Sequence, residues 1–348
     1  MASKVLDERK RRILKVITDD YIASAEPVGS RTIARKYNLG LSPATIRNEM
    51  ADLEEEGYLE QPHTSAGRIP SDRGYRYYVD ALMQRRRLQP EEIAAIQREM
   101  DARERAISGI IHQAARVLAQ FTHFPSLISP PDRRKAIFKH VRLVKLNDRD
   151  VLILMVADTG EVMHKIVTCE EKIGEAELER LSHLFHERLR DRPLGDVGAA
   201  LEKEIRAKMI VGEKLFHQAM EALIESSRLE PVEQVVLDGA SQILDQPEFA
   251  GREQFRPLLN LLEQERSLYR LLTETCGCER LKVAIGQENK NQAVRDCSVV
   301  TATYEVHGRP VGVIGILGPT RMDYSKVLAV VEFMAEHLST ILNDLAGD

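Results

Sequence analysis

An α+β chain with more than one domain is what this sequence predicts, and three observations carry that expectation. At 348 residues it exceeds what a single hydrophobic core usually organises. Its N-terminal part reads as three short helices followed by a strand, a turn-rich tip and a second strand. Farther along, a set of strands is interrupted by a mostly helical block and then resumes.

Charge is unevenly distributed. The net charge is -5, yet residues 1–88 hold 16 Lys and Arg against 13 Asp and Glu, net +3, leaving the remainder net -8. Charge acts over about 8 Å in physiological salt, so the local basic excess matters more than the acidic total. No apolar run reaches membrane-spanning length, and residues 1–12 lack the apolar stretch of a signal peptide, so a cytoplasmic protein without membrane association is expected. The four cysteines are scattered apart from Cys276 and Cys278, whose single intervening residue is poor spacing for zinc. Neither a disulfide framework nor a metal site is expected.

Leu6, Ile13, Leu14, Val16, Ile17 and Tyr21 recur near helical spacing, which predicts a first amphipathic helix from Asp7 to Ala23. Pro27 and Gly29 punctuate it. Ser30 is placed to cap a short second helix carrying Ile33, Ala34 and Tyr37, closed by Asn38 and Gly40. Ser42-Pro43 then starts a third helix, with a hydroxyl for the free amides and a proline where a missing N–H costs nothing. This helix is expected to run to Glu56. At about 100° per residue, Ile46, Met50 and Leu53 share one face, while Ala44, Asn48, Ala51 and Glu55 take the opposite one, flanked by Thr45 and Arg47. Gly57 ends the helix, Tyr58 to Glu60 reads as a strand, and Pro62 to Arg68 forms a basic tip before Ile69-Pro70.

Three helices, a tight turn and a wing in that order make a winged helix-turn-helix, a pattern more specific than any of its parts. The small polar face near the start of the third helix suits entry into the major groove, where Arg47 matches guanine and Asn48 matches adenine. The candidate DNA contacts are Ser42, Ala44, Thr45, Arg47 and Asn48 on that helix and His63, Ser65 and Arg68 in the wing, with Arg68 aimed at a phosphate or the minor groove. Taken singly, the same residues also fit a solvated helix face and an ordinary surface hairpin. One winged helix covers a half-site, so a homodimer on an inverted repeat of double-stranded DNA is expected.

Residues 41–59, Leu-Ser-Pro-Ala-Thr-Ile-Arg-Asn-Glu-Met-Ala-Asp-Leu-Glu-Glu-Glu-Gly-Tyr-Leu, resemble the HrcA family of heat-inducible transcription repressors. So do His63-Thr64-Ser65-Ala66-Gly67-Arg68-Ile69-Pro70 and Arg73-Gly74-Tyr75-Arg76-Tyr77-Tyr78-Val79. The resemblance implies a repressor of chaperone operons, kept active by the chaperonin and released by heat stress. It also implies a GAF-like domain that carries an inserted dimerisation domain. Periodicity and charge contain none of this regulation.

Beyond the basic cluster Arg85-Arg86-Arg87, Pro90 opens a helical pattern through Ile93, Ile96, Met100, Ile107, Ile110, Ile111, Ala114, Val117, Leu118 and Phe121, which predicts one long connecting helix. Strands are expected at Phe138 to Leu146, Val151 to Ala157 and Val162 to Val167, with turns between them. Helices follow at Glu175 to Arg190 and Gly198 to Ser227, then a strand at Gln234 to Ile243 and a helix at Arg252 to Leu272. Strands return at Leu281 to Gly286, Ser298 to Val306 and Val311 to Leu317, and a helix from Ser325 to Leu345 closes the chain. The expected division is a DNA-binding domain over 1–88 and a connecting helix and linker over 89–136. A discontinuous GAF-like domain takes 137–170 with 276–348, and the inserted dimerisation domain takes 171–275.

Nothing in the sequence points to an enzyme or a cofactor. Gly312, Gly315 and Gly318 have the wrong spacing for a dinucleotide fingerprint, and close backbone packing explains them. His183 and His186 lack the neighbouring carboxylate or cysteine cluster of a metal site. Two alternatives to a chaperone-regulated repressor stay open. One is a ligand-sensing regulator with a small molecule in the GAF-like domain, and the other is an interaction protein whose winged helix binds protein.

Overall fold

The computed structural model describes residues 6–64, 66–100, 106–132, 136–158, 162–169, 172, 174–194, 221, 233–249, 252–276 and 279–346. Helices α1 (Glu8–Ser24), α2 (Ser30–Lys36) and α3 (Pro43–Glu55) bury one stripe each, bringing Ile13, Leu14, Ile17, Ile33, Ile46 and Leu53 to zero exposure in one small core. Asp7 caps α1 by accepting from the Lys10 amide at 2.8 Å. The expected cap of α2 shifts by one residue: Gly29 takes the extended cap position, and Ser30 is the first helical residue. Strands β1 (Leu59–Glu60) and β2 (Ile69–Pro70) pair antiparallel as the stem of the wing.

The chain then turns through α4 (Asp72–Tyr77) and a π-helical turn at Tyr78–Leu82. Two helices follow, α5 (Pro90–Met100) and α6 (Ile107–Thr122), where the periodicity predicts one continuous rod. Ala106 is extended, with φ -79° and ψ 129°, and caps α6. The physical reason is packing. A straight helix across that span would be about 48 Å long, whereas Ile96 and Met100 of α5 share one core with Ile111 and Leu118 of α6.

That core lies against a five-stranded antiparallel sheet of order β7-β3-β10-β9-β8, formed by β3 (Ser126–Ile128), β7 (Val236–Asp238), β8 (Leu281–Ile285), β9 (Cys297–Val306) and β10 (Arg309–Pro319). On one face Val300, Ala302, Tyr304, Ile314 and Ile316 pack with α6 and the closing helix, Tyr324–Ala346. On the other, Val299 and Leu317 pack beneath α8 (Arg252–Leu262) and α9 (Glu265–Cys276), two helices where one was expected. The closing helix is α10. Covered on both faces, β9 is buried almost throughout, as a central strand must be. The glycines of β10 make room for it: a Cβ on Gly312 lies 2.3 Å from the Tyr304 ring, and one on Gly315 lies 2.3 Å from Leu272.

Strands β4 (Phe138–Lys145), β5 (Asp150–Ala157) and β6 (Val162–Thr168) form a second sheet, hydrogen-bonded in chain order. It is separate from the five-stranded sheet that holds β8, β9 and β10. Val141, Leu143, Val151, Ile153 and Met155 close a separate core with Leu178, Leu181, Phe185 and Leu189 of α7 (Glu175–Leu189). The five-stranded sheet instead recruits β3 from the presumed linker and β7 from the presumed insertion. On α7, His183 faces Glu187 at 3.4 Å and His186 stacks on His140. The helix expected from Gly198 to Ser227 lies outside the described residues except for Glu221, and Cys278 lies outside them too. No described helix is long and apolar enough to cross a membrane.

Candidate nucleic-acid interface

Helix α3 presents its candidate reading edge because its start is strongly specified. The Ser42 hydroxyl accepts from the Thr45 amide at 3.1 Å, Pro43 occupies the first turn, and the Ser42 and Thr45 hydroxyls lie 2.9 Å apart. Ile46, Met50 and Leu53 anchor the buried face at 0, 5 and 0% exposure. The opposite side then points outward. Ser42, Ala44, Arg47 and Asn48 are exposed, and Thr45 is half-buried at the flank. Among the described residues the side chains of Arg47 and Asn48 make no hydrogen bond or ion pair, so their donors and acceptor are uncommitted.

Apart from the exposed Glu55, the acidic residues of α3 are paired with basic side chains. Arg9 pairs with Glu49 at 3.2 Å, and Lys10 reaches Glu56 at 2.9 Å and Asp52 at 3.3 Å, tying α1 to α3 along a flank. The hydrogen bond that Lys10 donates to Glu56, supported by the one to Asp52, raises the Lys10 pKa above its ordinary value against the opposing effect of burial. The pairing moderates the negative field along that flank of α3, where an unpaired carboxylate row would repel an anion.

The wing divides its expected contacts. His63 is exposed at the tip, where its carbonyl accepts from the Ala66 amide at 2.9 Å and the Gln61 amide bonds the carbonyls of Thr64 and Ala66. Ser65 lies outside the described residues. Arg68 is not at the tip. Its backbone exchanges two 2.9 Å hydrogen bonds with Val28, and its guanidinium donates from Nε and Nη2 to Glu54 Oε2 at 2.8 and 2.7 Å. In the chain without DNA the guanidinium thus clamps the wing to α3, and the expected contact to a phosphate or the minor groove would have to displace Glu54.

Arg68→Ala should therefore lower stability by on the order of 1 kcal/mol, as for a partly exposed ion pair, and leave the salt dependence of DNA binding nearly unchanged. A fall of about one unit in the slope of log affinity against log salt per contact would instead show the guanidinium moving to phosphate.

The structure adds two residues that the sequence reading passed over. Arg31 and Arg35 are exposed one turn apart on α2, and neither side chain has a partner among the described residues. Their i, i+4 spacing on the helix that crosses the DNA backbone in this motif was the available signal.

Comparison with known proteins gives concordant findings. Residues 108–328 match the family described as HrcA protein C terminal domain. A heat-inducible transcription repressor HrcA from Desulforamulus reducens is 44% identical over 338 residues, covering 97% of both chains. Another, from Pelotomaculum thermopropionicum, is 46% identical over 338 residues with the same coverage. A crystal structure of a hypothetical protein at 2.2 Å resolution superposes with a TM-score of 0.59 at 24% identity, covering 98% of this chain and all of that one, which supports the fold.

Proposed function

The chain belongs to the HrcA family of heat-inducible transcription repressors, and from that premise we propose that it binds, as a homodimer, an inverted-repeat operator upstream of heat-shock chaperone operons. It is a transcription repressor and not an enzyme. The observation that carries the site assignment is the exposed, unpaired Arg47–Asn48 edge on a capped helix whose other face is fully anchored.

In this reading Arg47 and Asn48 read base edges, and Ser42, Ala44 and Thr45 approach them at the start of α3. Arg31 and Arg35 neutralise phosphates, His63 and Ser65 bring the wing to the duplex, and Arg68 holds the wing in place. The five-stranded sheet with its helices serves as a GAF-like body, and the part of 171–275 outside that body supplies the subunit contact. The protein acts in the cytoplasm, and the chaperonin keeps it active until heat stress diverts the chaperonin to other clients.

Footprinting on chaperone promoters, with and without chaperonin, tests this directly. The expected result is two protected half-sites about one helical turn apart, with protection lost after heating and restored by chaperonin. Protection that ignores the chaperonin removes it as a partner, and monomers by sedimentation at micromolar concentration remove the dimer. A ligand-gated variant of this reading is favoured by one feature, a cleft of about 420 Å³ between α9 and β8 lined by Arg270, Lys282 and Lys290 together with Glu274 and Glu288. It requires a small molecule that shifts operator affinity of the purified protein without chaperonin.

A further inference from the structure

The winged helix does not hang from a linker. Tyr75 of α4 is buried in the core of the five-stranded sheet, beside Tyr324 with ring centroids 6.0 Å apart. One residue on, the Arg76 guanidinium grips the turn after β8. Its Nε donates to Glu288 Oε1 at 2.7 Å, its Nη2 donates to the other Glu288 oxygen and, at 2.6 Å, to the Val283 carbonyl. Glu288 is itself held, accepting from the Ile285 amide at 2.9 Å. Asp72, at the start of α4, accepts from the Gln287 amide at 2.9 Å.

The turn is shaped for this approach. Gly286 has φ +53°, and a Cβ there lies 2.1 Å from the Asp72 carboxylate. A second anchor sits at the far end of α1, where Arg321 donates to the Ile22 carbonyl at 2.9 Å while paired with Glu248. A third joins the linker to α10, with Ser325 donating to the Gln84 carbonyl at 2.8 Å and accepting from the Arg86 amide at 3.1 Å. All of these contacts fall on α1, α4 and the linker. The α3 edge stays exposed.

We infer that Arg76 and Glu288, with Asp72 seated against Gly286, are positioning residues that lock the orientation of α3 on the body and thereby set the half-site spacing the dimer accepts. The inference rests on the dimeric reading proposed above. A bidentate guanidinium–carboxylate pair fixes direction as well as distance. A dimer gains from its second half-site only when both recognition helices reach their grooves together, so a locked orientation converts spacing into affinity. A loosened one tolerates a range of spacings.

The test uses the full-length chain, a single half-site duplex, the native inverted repeat, and repeats with two base pairs added or removed between half-sites. Wild type should lose about tenfold or more in affinity on either altered spacing. Glu288→Gln, Arg76→Gln and Gly286→Ala should bind the single half-site as wild type does, which also reports a folded winged helix. On altered spacings they should lose less than about threefold, and Arg76→Gln with Glu288→Gln should act as one lesion, not two. Variants that bind the half-site normally but keep the wild-type spacing profile overturn the lock. Wild type that binds a half-site and an inverted repeat equally refutes the dimeric reading instead.

Discussion

Arg47→Ala should lower affinity for the cognate operator by about 1–3 kcal/mol per half-site, the worth of a bidentate arginine–guanine contact, and a dimer suffers that loss twice. The argument is geometric. Arg47 is exposed, unpaired among the described residues, and one turn from the capped start of α3, so no described residue competes for its guanidinium. Discrimination should relax at one base pair in each half-site, and binding to random duplex should change little. A titration on operator, single-base operator mutants and random DNA checks it, and equal losses on all three would strip Arg47 of a reading role and make it a phosphate contact.

Ile46→Ala, one position away, should act on folding instead. Ile46 is fully buried among Ile13, Ile17, Ile33 and Leu53, and truncating such a side chain costs about 2–5 kcal/mol through lost transfer energy and the cavity left behind. Asn48→Ala, on the exposed side, should leave the melting transition nearly where it was. Urea titrations of the two variants separate the effects. If Asn48→Ala proved the more destabilising, the side chain would hold the helix in place and its assignment to base reading would fail.

The adjacency of these two predictions explains how much of the site was legible. A helix face is a local property: Ile46, Met50 and Leu53 recur at helical spacing, so burying them exposes Ala44, Arg47 and Asn48 whatever the rest of the chain does. Ser42-Pro43 acts within one turn, and the wing's turn residues act within a few positions. Arg68 was harder, because its partner Glu54 lies 14 residues away on another element. Sequence showed its charge and its place beside the tip, while only the fold showed that a carboxylate already occupies it.

What the sequence by itself determined is therefore the set of elements whose causes are local: α1 to α3 and their faces, the wing, the alternating strands β4 to β6, and the long apolar runs of β9 and β10. Tertiary structure decided which of them belong together. β3 is three residues, too short to carry a periodic signal, and becomes a strand because β10 offers it an open edge, while the strand expected from Gln234 to Ile243 shortens to β7, which pairs with β3. Alternation in β4 and β5 says that one face is buried but not against what, and α7 rather than the larger sheet covers it. The docking of α4 was equally invisible, since Arg76 and Glu288 stand 212 positions apart and a charged pair has no period to betray it.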